Sequence, residues 1–267
     1  MAHHTSPGTL AGSARPDVET AAGVRSVHRA VTLLALFDET HATWSVAELA
    51  RAAGLPRTTT IRLVGTLQER GLLWSLEDGH VTVGPSWLRW ARLAHQVWQL
   101  PEPAWQVIRQ LSAACGETVN VYVRQGLVRL CVAQQEGTQT VRHVVRVGDA
   151  LPLWGGAAGR VLLVDADADL IAAVARSSPM GADFAVTLAE RVRAAAEAGW
   201  SQSHGEREVG ASGVAAAIVG ERGEVLAALA LGGPTSRFTV ERVAEFAPAV
   251  RAAAARISAL GLGWPGD

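Results

Sequence analysis

Ser203, His204 and Glu206 lie within four residues and carry the groups of a nucleophile, a base and an acid. Nucleophile and base normally converge from separate elements, so this run is too tight to form a triad directly. The run Gly155-Gly156-Ala157-Ala158-Gly159-Arg160 has the glycines of a phosphate loop and lacks its Lys-Ser/Thr. The chain contains no lysine: all 24 basic residues are arginine, which also removes Schiff-base chemistry. Cys115 and Cys131 are too few for a disulfide framework or a cysteine metal site, and they read as reduced interior thiols. No pair among the eight histidines has the spacing of a zinc site. No catalytic residue, metal or cofactor is therefore expected. One pattern survives. Arg57, Thr58, Thr59, Arg62 and Thr66 fall away from the apolar positions of a single helix. Arginine can take guanine through two hydrogen bonds, and threonine can bond a phosphate or touch a thymine methyl. The helix N-terminus itself favours a phosphate.

The elements that would position this face follow from periodicity. Val27, Ala30, Val31, Leu34 and Phe37 recur at three- and four-residue steps and form one apolar stripe. Ser45 and Glu48 have the spacing of a capping box. They open a short helix with Val46, Leu49, Ala50 and Ala53 on one side. Gly54 ends it, and Pro56 suits the first turn of a third helix. There Ile61, Val64 and Leu67 fall on the buried face, with Leu63 beside them. Two apolar runs, Leu72–Leu76 and His80–Val83, flank Glu77-Asp78-Gly79, a hairpin signal. Three helices with a tight turn and a hairpin describe a winged helix-turn-helix, whose third helix fits a major groove. The segment from Val24 to Pro85 holds six arginines and six acids, and the whole chain has a net charge of −1. Any nucleic-acid binding must come from a local surface rather than from bulk charge.

At 267 residues, 49% hydrophobic and 18% charged, the chain is long enough for two folded domains. Residues 1–23 read as an aperiodic, disordered tail. Residues 24–85 are the winged domain. Residues 86–102 form a linker helix with Trp87, Trp90, Ala91, Ala94, Val97 and Trp98 on one face, broken by Pro101 and Pro103. Such an apolar surface marks association. Residues 103–267 alternate in groups: a helix to Cys115, strands at Thr118–Arg124, Val128–Gln134 and Thr140–Val147, and helices at Ala157–Val164, Ala168–Arg176 and Val186–Ala198. A strand pair at Ser212–Val219 and Val225–Gly232 and a closing helix, Val240–Leu260, complete the pattern. Grouped strands with interspersed helices predict an α+β fold. No apolar run is long enough to span a membrane, and no signal pattern opens the chain. The expected location is cytoplasmic.

Several segments carry a resemblance. Ser26–Leu36, Val46-Ala47-Glu48-Leu49-Ala50, Leu55–Leu63 and Leu67–Gly71 resemble the DNA-binding half of the isocitrate lyase regulator (IclR) family of bacterial transcription factors. Val147–Leu153, Ala157-Ala158-Gly159-Arg160 and Gly199–Glu206 are similar to the family's second half, as are Gly210, Ala215-Ala216 and Ala228–Pro234. The resemblance runs from about Val24 to Leu260. It implies a GAF-like α+β domain that binds a small effector and mediates oligomerisation, with a dimer on a palindromic operator and tetramers built from dimers. It also implies a structural role for Glu206. The family's glyoxylate- and pyruvate-responsive member holds its acid with two serines, a cysteine and an aspartate. The resemblance places these at Ala230, Gly232, Gly213 and Ser203. A buried carboxylate without partners costs several kcal/mol, so the same small acid is a poor candidate. A larger pocket and a bulkier effector, an apolar or aromatic carboxylic acid, are expected. Its surround would be His143, Leu151, Trp154, Ala157 and Ala158, with Ser203 or Tyr122 as polar anchor. Alternatively the pocket is merely packed. A further alternative is a small-molecule sensor or enzyme whose DNA-binding domain is vestigial, for which the weak charge balance of the first domain speaks.

Overall fold

A computed structural model of the chain describes residues 23–141 and 145–264. The expected tail (but for Gly23) and His143 lie outside the described residues. The chain forms two compact units, one ending at His95 and one starting at Gln96.

The first unit contains α1 (Arg25–Leu34), β1 (Thr43–Trp44), α2 (Val46–Ala52), α3 (Arg57–Glu69), β2 (Leu73–Ser75) and β3 (Val81–Val83), and then most of α4 (Ser86–Val97). The capping box forms as predicted: the Glu48 amide donates to Ser45 Oγ at 3.2 Å, and the Ser45 amide donates to Glu48 Oε2 at 2.9 Å. Leu33, Leu36, Leu49, Val64, Leu67, Leu73 and Val81 make the core. Two details differ from the sequence pattern. Val27 and Val31 are exposed, and Leu33 and Leu36 are buried in their place. The helix ends at Leu34, so the 3.6-residue period that joined Val27 to Phe37 does not extend that far. On α3 the expected core residue Ile61 is 52% exposed, and Thr60 is fully buried beside Val64 and Leu67. Thr60 Oγ1 donates to the Pro56 carbonyl at 3.2 Å, so its hydroxyl is satisfied and only its methyl needs packing. The hairpin pairs Leu73 with Val83 and Ser75 with Val81, with Gly79 at φ +81° in its turn. The two-residue strand β1 joins β3 on its other side; it is too short to show alternation in sequence. α4 is tied at its start by Trp87 Nε1 donating to the Leu72 carbonyl at 2.9 Å, and it contains no buried residue.

The second unit is α+β. It runs α5 (Glu102–Cys115), β4 (Thr118–Gln125), β5 (Val128–Gln135), β6 (Ala150–Pro152), α6 (Ala157–Val161), α7 (Ala168–Arg176) and α8 (Phe184–Ala198). Then follow β7 (Ser201–His204), β8 (Ala211–Val219), β9 (Val225–Pro234) and α9 (Val240–Leu260). The sheet order is β6-β5-β4-β9-β8-β7, and each neighbouring pair is antiparallel. Alternate residues feed two cores. Val119, Val121, Val214, Leu229 and Leu231 pack with α5 and α9. Tyr122, Cys131, Ala215, Ala228 and Ala230 pack with α6, α7 and α8. The strand expected over Thr140–Val147 is absent from its described residues. The chain instead turns at Gly148 (φ +99°), where Asp149 Oδ2 accepts from the Arg146 amide at 2.7 Å, and the strand begins only at Ala150. An Asp closing a turn onto a nearby amide competes with strand pairing. β7 was not predicted, because Ser-Gln-Ser-His carries no hydropathic alternation although its burial alternates. Among the described residues no helix is long and apolar enough to cross a membrane.

Candidate functional site

α3 presents Arg57, Thr58, Arg62 and Thr66 to solvent, with Thr59 half-buried. Ile61 stands among them. Sequence periodicity missed it because an isoleucine scores as core wherever the stripe passes nearby. Thr66 Oγ1 donates to the Arg62 carbonyl at 3.0 Å, so its hydroxyl hydrogen is used within the helix. Among the described residues neither Arg57 nor Arg62 makes an ion pair. Both guanidiniums keep their donors for an outside acceptor. Gln68 Nε2 donates to Ser75 Oγ at 2.6 Å and ties the helix to the hairpin.

In the second unit a cavity of about 60 Å³ opens on the α6 side of the sheet. The strand register explains its floor. Ser203 pairs with Gly213 and Gly213 with Gly232; Ala215 pairs with Ala230 and Ala230 with Asn120. Cross-strand partners share a face, so a row of small residues leaves space there. Tyr122, Leu151, Ala157, Ala158, Ser203, Gly213, Ala230 and Gly232 all line the cavity. Trp154 does not; it is half-buried against the neighbouring core. Two features set the character of this cavity. The space is smaller than the roughly 150 Å³ of an engineered cavity that takes benzene. Its walls also include Asn120, Arg129, Arg207 and Ser212.

Arg129 had no signal in the sequence, since a single arginine in a β-run reads as an outward residue. It is 5% exposed. Nη1 donates to the Pro152 and Gly155 carbonyls, at 2.5 and 2.7 Å, and the guanidinium lies 5.4 Å from the Tyr122 ring centre. Burial lowers its pKa to about 10. Glycine is required at 156: a Cβ there would stand 2.9 Å from Arg129 Nη2, and its φ is +94°.

The Ser203–Glu206 run splits. Ser203 faces the cavity, and His204, next along β7, is directed to the other side, where Nδ1 lies 3.0 Å from Ser212 Oγ. Glu206 binds Arg160 Nη2 through Oε1 and accepts from the Gly156 amide at 3.0 Å through Oε2, which fixes the start of α6. Arg160, 7% exposed, also donates to Ser201 Oγ at 3.3 Å and to the Gln202 carbonyl. Among the described residues no group of three or more His, Cys, Asp or Glu could hold a metal ion.

Both thiols are held neutral. Burial raises the Cys131 pKa to about 12 and also raises that of Cys115. At pH 8 the ionised fraction of Cys131 is then about 10⁻⁴, against ~0.2 for a free thiol. The Cys131 thiol of native protein should therefore react with a thiol reagent at least ~100-fold more slowly than in denaturant. A fast native reaction of Cys131 would contradict this.

The IclR helix-turn-helix model matches residues 26–75, and the model for the C-terminal region of bacterial IclR transcriptional regulators matches residues 94–259. The HTH-type transcriptional repressor AllR of Escherichia coli (strain K12) is 29% identical over 266 residues, spanning 94% of this chain and 95% of its own. Among solved structures, an IclR-family regulator from Rhodococcus sp. is 49% identical with a TM-score of 0.63, covering 95% of this chain and 100% of its own. An IclR homologue from Microbacterium hydrocarbonoxydans, complexed with 4-hydroxybenzoate, is 25% identical with a TM-score of 0.67. It covers 88% of this chain and 98% of its own. The helix-turn-helix with its hairpin, the cavity-bearing α+β unit and these matches along nearly the whole chain make it a member of the IclR family of bacterial transcriptional regulators.

Proposed function

We propose that the chain is a cytoplasmic repressor, not an enzyme, that releases or takes a palindromic operator in response to a small organic effector. Residues 24–85 read DNA, residues 86–102 link and dimerise, and residues 103–267 bind effector and extend the dimer to a dimer of dimers. Arg57, Thr58, Thr59, Arg62 and Thr66 face the duplex, and Ile61 offers an apolar group suited to a thymine methyl. The observation that carries this is the exposed α3 face, with two arginines that no acid neutralises among the described residues. α4 supports the dimer: Trp87, Leu88 and Trp90 are exposed on it, and two recognition helices need two-fold symmetry to read a palindrome. The repressor relative and the 4-hydroxybenzoate complex support a negative regulator with an organic-acid effector in the cavity of Tyr122, Leu151, Ala157 and Ser203. Such an effector acts only through its difference in affinity for two arrangements of the dimer.

Fluorescence anisotropy tests this with DNA from upstream of the protein's own gene against a scrambled fragment, at two salt concentrations. Preference for the upstream fragment should survive higher salt, which erases phosphate-only binding. Arg62→Ala should lose ~1–3 kcal/mol of that specific binding with fold and oligomer unchanged. Equal affinity of the variant would remove Arg62 from base recognition. Equal, salt-erased binding of both fragments would count against a local operator.

A further inference from the structure

Charge accounting around the cavity leaves one cation over. Glu206 is matched by Arg160 and Glu208 by Arg207, whose Nη2 lies 3.1 Å from the Glu208 carboxylate. Among the described residues no carboxylate lies within ion-pair distance of Arg129, and its Nε is enclosed without any hydrogen-bond partner. Nη1 is spent on two carbonyls, while Nη2 donates to no described group and faces Gly156 at the cavity edge. A buried guanidinium left in this state is costly, and the cost is removed when an anion arrives with two oxygens in the plane of the fork. The remaining lining fits an acid as well. Asn120 supplies a side-chain donor, and the Tyr122 ring already flanks the guanidinium.

We propose that Arg129 is the anion receptor of this cavity, and that its ligand is a monocarboxylic acid whose carboxylate takes the open Nη2 edge of the guanidinium. This rests on the effector reading of the cavity and gives it a chemistry. The cavity must widen around the body of any ligand larger than a few atoms, and the small floor residues Gly213, Ala230 and Gly232 put no long side chain in the way.

The test compares acids with their neutral amides on the full-length protein. Calorimetric titration would use pyruvate and benzoate as probes, with pyruvamide and benzamide as shape-matched controls. At least one acid should bind saturably, with its amide at least tenfold weaker. Arg129→Lys should weaken the acid at least tenfold, because an ammonium lacks the planar fork. Circular dichroism and melting of that variant report whether the Pro152 and Gly155 carbonyls still hold the loop. If the variant does not fold, the acid-against-amide comparison on the unaltered protein decides alone. Equal binding of acid and amide would overturn the role of Arg129 and leave the cavity a ligand site. Full acid affinity in a folded Arg129→Lys would do the same. No binding by any probe would overturn both.

Discussion

Arg237→Ala should destabilise the second unit by ~3–5 kcal/mol, the usual cost of stranding one member of a buried ion pair. Glu117 is 2% exposed at the junction of α5 and β4, and Arg237 holds it from beyond β9 with a two-point fork, Nε at 2.5 Å and Nη2 at 2.7 Å. The arginine side chain is 28% exposed, so water reaches the donor but not the acceptor. Removing the guanidinium leaves an ionised carboxylate with no counter-charge in an enclosed site. The backbone at Gly233 presses so close that a Cβ there would meet Glu117 Oε2 at 2.3 Å, so the carboxylate has no room to swing out. Arg237→Lys should recover only part of the stability, since it restores charge without the fork. Urea unfolding measures both effects. A loss under ~1 kcal/mol would mean the pair contributes little.

The residues legible in the sequence are those whose role is local. Ser45 and Glu48 announce a cap because both partners of the box lie within one turn, and Asp78-Gly79 announces its hairpin for the same reason. The start and end of α7 and α9 coincide with the predicted spans. What stays hidden depends on partners far away in the chain. Arg129 owes its burial to carbonyls 23 and 26 residues on, and to the ring of Tyr122. Ile61 and Thr60 exchange core and surface because a 100° step between neighbours matters more than hydropathy once the threonine hydroxyl finds the Pro56 carbonyl. The family resemblance brought most of the cavity floor together, since Ser203, Gly213, Ala230 and Gly232 sit at fixed register on adjacent strands. It gave no access to the polar walls at Asn120, Arg129 and Arg207. Arg129 reaches the cavity from the strand next to β4, and only the paired register reveals it.

Glu206→Ala should cost ~3–5 kcal/mol and also loosen the cavity's entrance, so that stability and ligand response fall together. Arg160 has an 8% exposed side chain, and burial pushes its pKa down, opposed mainly by the charge of Glu206. Without that carboxylate the guanidinium keeps only Ser201 Oγ and the Gln202 carbonyl, neither of which is charged. The Gly156 amide at the start of α6 loses its acceptor at the same time. Arg191, 3.5 Å from Glu206 on the solvent side, cannot compensate because it carries the same sign as Arg160. Glu206→Gln should fall between, because the amide oxygen can replace one acceptor but not the charge. Arg160→Met in the Glu206→Ala background should recover stability, as an apolar chain of similar volume removes the stranded cation. A double variant no more stable than Glu206→Ala alone would show that the damage comes from α6 itself and not from the buried charge. Titrating a bound acid in each variant then separates the two roles. If Glu206 acts by holding α6, ligand affinity should follow the loss of the Gly156 contact and stay low even where the Met substitution has restored the melting temperature.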